Sequence, residues 1–200
     1  MDDRSLPAAL AADLDGAFEW MVLSYQNRLY GFALRLAGQP QDAEDITQDT
    51  FVHAYRALMA YPGERVRDLA LRPWLYRIAL NVFRNRGRGG RLRVISLDHA
   101  GHESALGIEE QDAAVLPEQA LEEAELKRTL GALVAALPAR YRVPVVLRHV
   151  QDLGYREIAS ILRQPIGTVK GNVHRGVRLL QQAVNAQQRP ALHVHGRRRR

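Results

Sequence analysis

The chain has 200 residues, enough for one large or two small domains. It carries 28 Lys+Arg against 22 Asp+Glu, a formal net charge of +6, and no cysteine. That excludes a disulfide scaffold, Cys-ligated zinc and a thiol nucleophile, and it suits a reducing cytoplasm. Hydrophobic residues make up 46% of the chain, so ordinary cores can form. Asp2 and Asp3 open the chain with no basic segment before an apolar one, so no secretory signal is expected. No run of ~18 uninterrupted apolar residues exists, so no membrane insertion is expected either.

In chain order, residues 1–13 read as an N-terminal tail. Residues 14–37 read as a helix, because Phe18, Met21, Val22, Tyr25, Leu29, Phe32 and Leu36 recur at steps of three and four. Gly38 and Pro40 end it. A second helix runs from Asp42 to Tyr61 with Ala43, Ile46, Phe51, Ala54 and Leu58 on its apolar side, and Pro62-Gly63 stop it. A third starts near Pro73 and runs to Arg86 through Trp74, Leu75, Ile78, Ala79, Val82 and Phe83. Residues 91–117 lack either period and contain Gly101 and Gly107, so they read as a flexible linker. Helices are then expected over 118–137, over 139–150 with a bend at Pro144, over 155–162 and over 166–187. Residues 189–200 read as a basic disordered tail ending in Arg197 to Arg200. No strand pattern competes. The expected class is all-α, with two small helical domains (14–90 and 118–188) joined by the linker, the second a helix-turn-helix.

Charge separates the two halves. Residues 126–200 hold 15 Lys+Arg and 2 acids, a net of +13; residues 1–125 hold 13 Arg and 20 acids, a net of −7. Arg84, Arg86, Arg88, Arg91 and Arg93 form a second basic cluster, and residues 94–126 carry nine acids and no Lys or Arg. Two basic regions flanking an acidic connector favour a phosphate polymer as ligand. As a free coil, the 26 residues 91–116 average ~28 Å end to end and reach ~85–90 Å extended.

Three constellations carry chemistry. Tyr155, Ile158, Ala159 and Leu162 line a short helix, Arg163-Gln164-Pro165 break it, and Ile166, Val169, Val173, Val177, Leu180 and Val184 line a longer one. This is a helix-turn-helix pattern. At ~100° per residue, its free face is centred on Gly171, Arg175, Arg178 and Gln182, with Thr168 beside them and Lys170 and Asn172 on the flanks. Arg can grip guanine, Asn can grip adenine, and Thr, Lys and Arg can hold phosphates. The plainer alternative is a helical hairpin with a wet basic face. In DAEDITQDTF, Asp42, Asp45 and Asp49 recur at three and four with Gln48 alongside. Such a stripe is either a solvated acidic face or a dock for a basic protein, since like charge repels DNA. In RPWLYRIALNVFRNRGRGGR, Trp74, Tyr76 and Phe83 interleave with Arg77, Asn81, Arg84, Asn85 and Arg88. Aromatics can stack on unpaired bases while Arg holds the strand. Trp74 and Phe83 can equally be core residues.

These three segments, in this order, resemble bacterial RNA polymerase sigma factors of the extracytoplasmic-function type. DAEDITQDTFVHAYRAL is similar to the family's polymerase-clamp-binding helix, and RPWLYRIALNVFRN to its −10 element reader. LPARYRVPVVLRHVQDLGYREIASILRQPIGTVKGNVHRGVRLLQQ is similar to its −35 binding domain. The resemblance implies a protein that joins core RNA polymerase, recognises −10 and −35 promoter elements, and helps open the promoter. It implies that Asp42, Asp45, Gln48 and Asp49 meet the basic clamp helices of the largest subunit, and that the second-largest subunit's flap is a further partner. It implies that Trp74, Arg77, Asn81, Arg84, Asn85 and Arg88 lie near the −10 strand, with the loop 61–71 holding a flipped base. Lys170, Gly171, Asn172, Arg175 and Arg178 would face the −35 major groove, with Tyr155, Arg156 and Thr168 on phosphates. Gly171-Asn172 stand where the family commonly has Ser-Arg, and Gly176 where it often has Ala.

A separate anti-sigma protein is the expected regulator, a cytoplasmic location is expected, and no cofactor, metal or catalytic residue is. The rival is an operator-binding helix-turn-helix dimer, which accounts for residues 126–187 but leaves the acidic stripe and the Trp/Arg/Asn helix unused. An enzyme reading rests only on His193-x-His195, which has no carboxylate nearby in sequence.

Overall fold

The computed structural model of the chain describes residues 5–88 and 117–187, and among them every regular element is a helix. The first group is α1 (Leu6–Ala12), α2 (Leu14–Ala37), α3 (Pro40–Ala60), α4 (Gly63–Arg67) and α5 (Leu71–Arg88). The second is α6 (Pro117–Ala136), α7 (Ala139–His149), α8 (Tyr155–Leu162) and α9 (Ile166–Gln187). The expected linker and the basic tail after Gln188 lie outside the described residues.

The helix ends follow from their capping residues. The Asp13 carboxylate accepts from the Gly16 N–H at 3.1 Å and starts α2. Gly38 takes a left-handed conformation (φ 77°) and its N–H closes on the Leu34 carbonyl. Pro40 and Pro117 each open a helix, because a first-turn proline gives up no intrahelical bond. Two expectations need correction. The segment read as a tail carries α1, whose Leu6 and Leu10 are 2% and 3% exposed and pack under α2 and α4. Its leucines stand one helical turn apart, so a single apolar edge suffices to dock it. The segment read as the loop 61–71 contains α4, which Val66 anchors in the same core.

The apolar stripe of α2 lies at the centre. Met21, Tyr25, Leu29, Phe32 and Leu36 are buried against Ala54 and Leu58 of α3 and Leu75, Tyr76, Ala79 and Leu80 of α5. The rings of Phe32 and Tyr76 meet edge to face at 5.1 Å. The same apolar cluster continues without a break into Val143, Val146 and Leu147 of α7, Leu153, Ile158 and Ile161. One apolar cluster thus runs through both helical groups.

Polar bonds pin this seam. Arg142 of α7 donates to the Leu36 carbonyl at 2.8 Å. Arg77 of α5 donates to the Ser160 hydroxyl of α8 at 2.7 Å. Gln151, in the turn after α7, accepts from Arg72 on its main-chain oxygen and from Tyr76 on its side chain, and its amide lies 3.5 Å from the Arg28 carbonyl. Burial pulls the pKa of Arg142 below the ordinary arginine value. Among the described residues no helix is long and apolar enough to cross a membrane.

Candidate functional site

The helix-turn-helix is built from α8 and α9. Glu157 accepts from the Gly154 N–H at 2.7 Å and fixes the start of α8. Arg163 sits at φ 53°, a left-handed position that costs a non-glycine residue some strain and turns the chain sharply into Gln164-Pro165. Val169 and Val173 are buried under α9. Gly176 is buried too: a Cβ there would meet Val145 Cγ2 at 2.5 Å and the Tyr141 carbonyl at 3.4 Å. The glycine lets α9 lie close against α7.

That packing leaves Thr168, Lys170, Gly171, Arg175 and Arg178 exposed on the opposite side, with Asn172 half-buried at its edge. Gly171 has no atom within 4 Å of a built Cβ, so the absence of a side chain there does nothing for the fold. The ammonium of Lys170 stands 5.7 Å from the Tyr155 ring centre, and Arg148 covers that ring at 5.2 Å. Arg148 also donates to the Leu153 carbonyl at 3.1 Å. Tyr155 and Lys170 are thus brought together, with Arg156 exposed one residue on. Arg148 was missed in the sequence, because nothing in its spacing marks it as a neighbour of Tyr155.

On α5, Asn81, Arg84 and Asn85 are exposed. Trp74 is half-buried against the core, 6.2 Å from the Tyr61 ring, which Arg65 covers in turn at 3.7 Å. Arg77 is half-buried, and its guanidinium is turned onto Ser160. Arg88 ends the helix.

The acidic stripe of α3 holds the least expected contact. Asp45, Gln48 and, in part, Asp49 are exposed, with Asp42 half-buried at the first turn. Arg86 of α5 crosses to two of them. Its Nη1 donates to Asp45 Oδ2 at 2.8 Å, and its Nη2 and Nε donate to Asp49 Oδ2 at 2.6 and 3.1 Å. Burial works against the charge of Arg86, but the bonds to the two carboxylates outweigh it and hold its pKa above the usual arginine value. The one sequence signal for this pairing was opposite charge, and neither stripe declares which helices become neighbours. Among the described residues no group of His, Asp and Glu could hold a metal; His193 and His195 lie outside them.

The sigma-70 region 2 family model matches residues 21–92, and the sigma-70 region 4 model matches residues 127–180. The RNA polymerase sigma-H factor of Pseudomonas aeruginosa is 32% identical over 170 residues, covering 84% of this chain and 86% of that protein. The ECF RNA polymerase sigma factor SigW of Bacillus subtilis is 36% identical over 163 residues, covering 80% and 84%. The solved structure of CnrH in complex with the cytosolic domain of CnrY shares the fold, with a TM-score of 0.63 at 23% identity over 93% of this chain and 99% of that one. The acidic helix and the Trp/Arg/Asn helix fall inside the first match, and α8 with the first two-thirds of α9 inside the second, so both halves of the chain match sigma-70 regions. The chain belongs to the extracytoplasmic-function sigma factors of the sigma-70 family, which bind RNA polymerase and recognise promoters.

Proposed function

We propose that this sigma factor docks on the basic clamp helices of the largest polymerase subunit through Asp42, Asp45, Gln48 and Asp49. The −10 strand then runs along Trp74, Arg77, Asn81, Arg84, Asn85 and Arg88. Lys170, Gly171, Asn172, Arg175 and Arg178 enter the −35 major groove, while Tyr155, Arg156 and Thr168 hold phosphates. The polymerase flap receives the second helical group, and the chain performs no catalysis of its own. The observation that carries this reading is the exposed Thr168/Lys170/Gly171/Arg175/Arg178 face, held outward by Val169, Val173 and Gly176.

Promoter engagement requires the two helical groups to part. Elements one and a half DNA turns apart lie ~50 Å from each other, whereas here α5 and α8 touch. The 26 residues 91–116 reach well past that distance when extended. A separate anti-sigma protein in the cytoplasm holds the factor before induction; the similar solved sigma factor RpoE of Bartonella quintana is in complex with the anti-sigma factor NepR.

Run-off transcription with core polymerase on a matched promoter and on a −35-scrambled one tests the reading. Arg175→Ala is expected to weaken the preference for the matched promoter. A variant that keeps the full preference would remove α9 from the groove.

A further inference from the structure

Arg86 belongs to none of the three interfaces assigned above, yet it joins two of them. It stands on the strand-reading helix beside Arg84 and Asn85, and its guanidinium bridges the two central acids of the docking stripe. Its side chain is 21% exposed, against 58% for Asp45 and 46% for Asp49. The arginine is therefore the inner member of the trio and the carboxylates the outer ones. All three recorded bonds end on Oδ2 atoms. About half of each acid is left open to a second cation approaching from solvent.

We propose that Arg86 is a positioning residue for polymerase docking: it fixes the Asp45 and Asp49 carboxylates in one geometry for a basic partner surface and locks the end of α5 to α3. The proposal rests on the reading of the acidic stripe as the polymerase dock. A planar fork suits the task, since it binds two carboxylates in fixed directions where an ammonium acts as a point charge. Free aspartates on a helix surface sample several rotamers, and ordering them on binding weakens the complex. Arg86 orders them beforehand. Its positive charge also lowers the net negative charge of the stripe, so it slows long-range attraction to a basic partner while strengthening the docked state.

These two effects act on different rate constants, which makes them separable. The full chain and core polymerase are mixed, and association and dissociation are followed with a fluorescent label on the sigma factor. Arg86→Gln is expected to speed association at low salt, because the stripe becomes more negative. It is expected to speed dissociation more, so that affinity falls about tenfold overall. Arg86→Lys restores the charge without the fork and should return association to the wild-type rate while dissociation stays fast. Circular dichroism of each variant reports whether the helices survive; a merely unfolded variant would associate more slowly.

Asp45→Asn with Asp49→Asn supplies the reference. If that pair weakens docking and Arg86→Gln leaves dissociation unchanged or slower, Arg86 screens the stripe instead of ordering it and the proposal is overturned. If the aspartate pair leaves docking intact, the stripe is not the dock, and the proposal falls with that reading.

Discussion

The guanidinium of Arg142 donates to the main-chain carbonyl of Leu36 at 2.8 Å across 106 residues of sequence. Leu36 lies at the end of α2, where carbonyls have no partner further along the helix. Arg142 is itself buried, so the bond joins two groups that would otherwise both be left unsatisfied out of water. Arg142→Met keeps the packed stem and removes the donor. The expected cost is ~1–3 kcal/mol, seen as a lower melting temperature and a larger radius of gyration by small-angle scattering. A variant that melts and scatters like wild type would mean that the apolar contacts alone close the seam.

Gly171 and Gly176 are expected to respond in opposite ways to the same change. Gly171→Ala meets open space, so it should gain up to ~1 kcal/mol of helix stability. Gly176→Ala meets Val145 and Tyr141, and overpacking of ~1–3 kcal/mol should outweigh that gain. Paired thermal melts decide it, and equal shifts for the two would contradict the close contact of α9 with α7. Gly171→Leu adds bulk to the proposed groove face. It should raise stability and weaken transcription from the matched promoter.

Releasing Arg77 should favour the −10 strand. Ser160→Ala removes the acceptor that holds the guanidinium against α8. A bond of this kind contributes ~0.5–1.5 kcal/mol, so affinity for a single-stranded −10 oligonucleotide should rise about two- to tenfold. Arg77→Ala should lower it. Fluorescence anisotropy with core polymerase present reads both; a weaker complex with Ser160→Ala would place Ser160 on the DNA.

Arg156 and Arg175 have different expected signatures. Arg156, exposed beside Tyr155, is proposed to hold a phosphate, so Arg156→Ala should weaken all sequences alike and reduce the salt slope by about 1. Arg175→Ala should cost ~1–3 kcal/mol at a single base pair. Binding titrations of a −35 duplex at several salt concentrations separate the two.

The helices and their faces were legible because apolar steps of three and four are set locally. Met21, Tyr25, Leu29, Phe32 and Leu36 all proved to be buried. Val169 and Val173 did too, and their burial turns Arg175 and Arg178 outward. Contacts that depend on which helices become neighbours were not legible. Arg86 reads as one more cation in a basic run, and only the packing of α3 on α5 brings it to Asp45 and Asp49. Gln151 looks like an ordinary turn residue, and its three partners come from α2 and α5. Helix α1 escaped notice because seven residues are too few to show a period.

The seam between the two helical groups is held by arginines that end on uncharged oxygens: Arg72 on a main-chain carbonyl, Arg77 on a hydroxyl, Arg142 on a carbonyl. No carboxylate takes part in those bonds, so neither mild acid nor moderate salt removes an acceptor from them. A polyanion is a different competitor. It can offer a charged oxygen to Arg77, whose bond to Ser160 is exposed, and such bonds are roughly twice as strong as those to neutral acceptors. The closed factor should therefore tolerate shifts in ionic strength or pH and yield to nucleic acid. Its clasp is selective for the chemistry of what opens it.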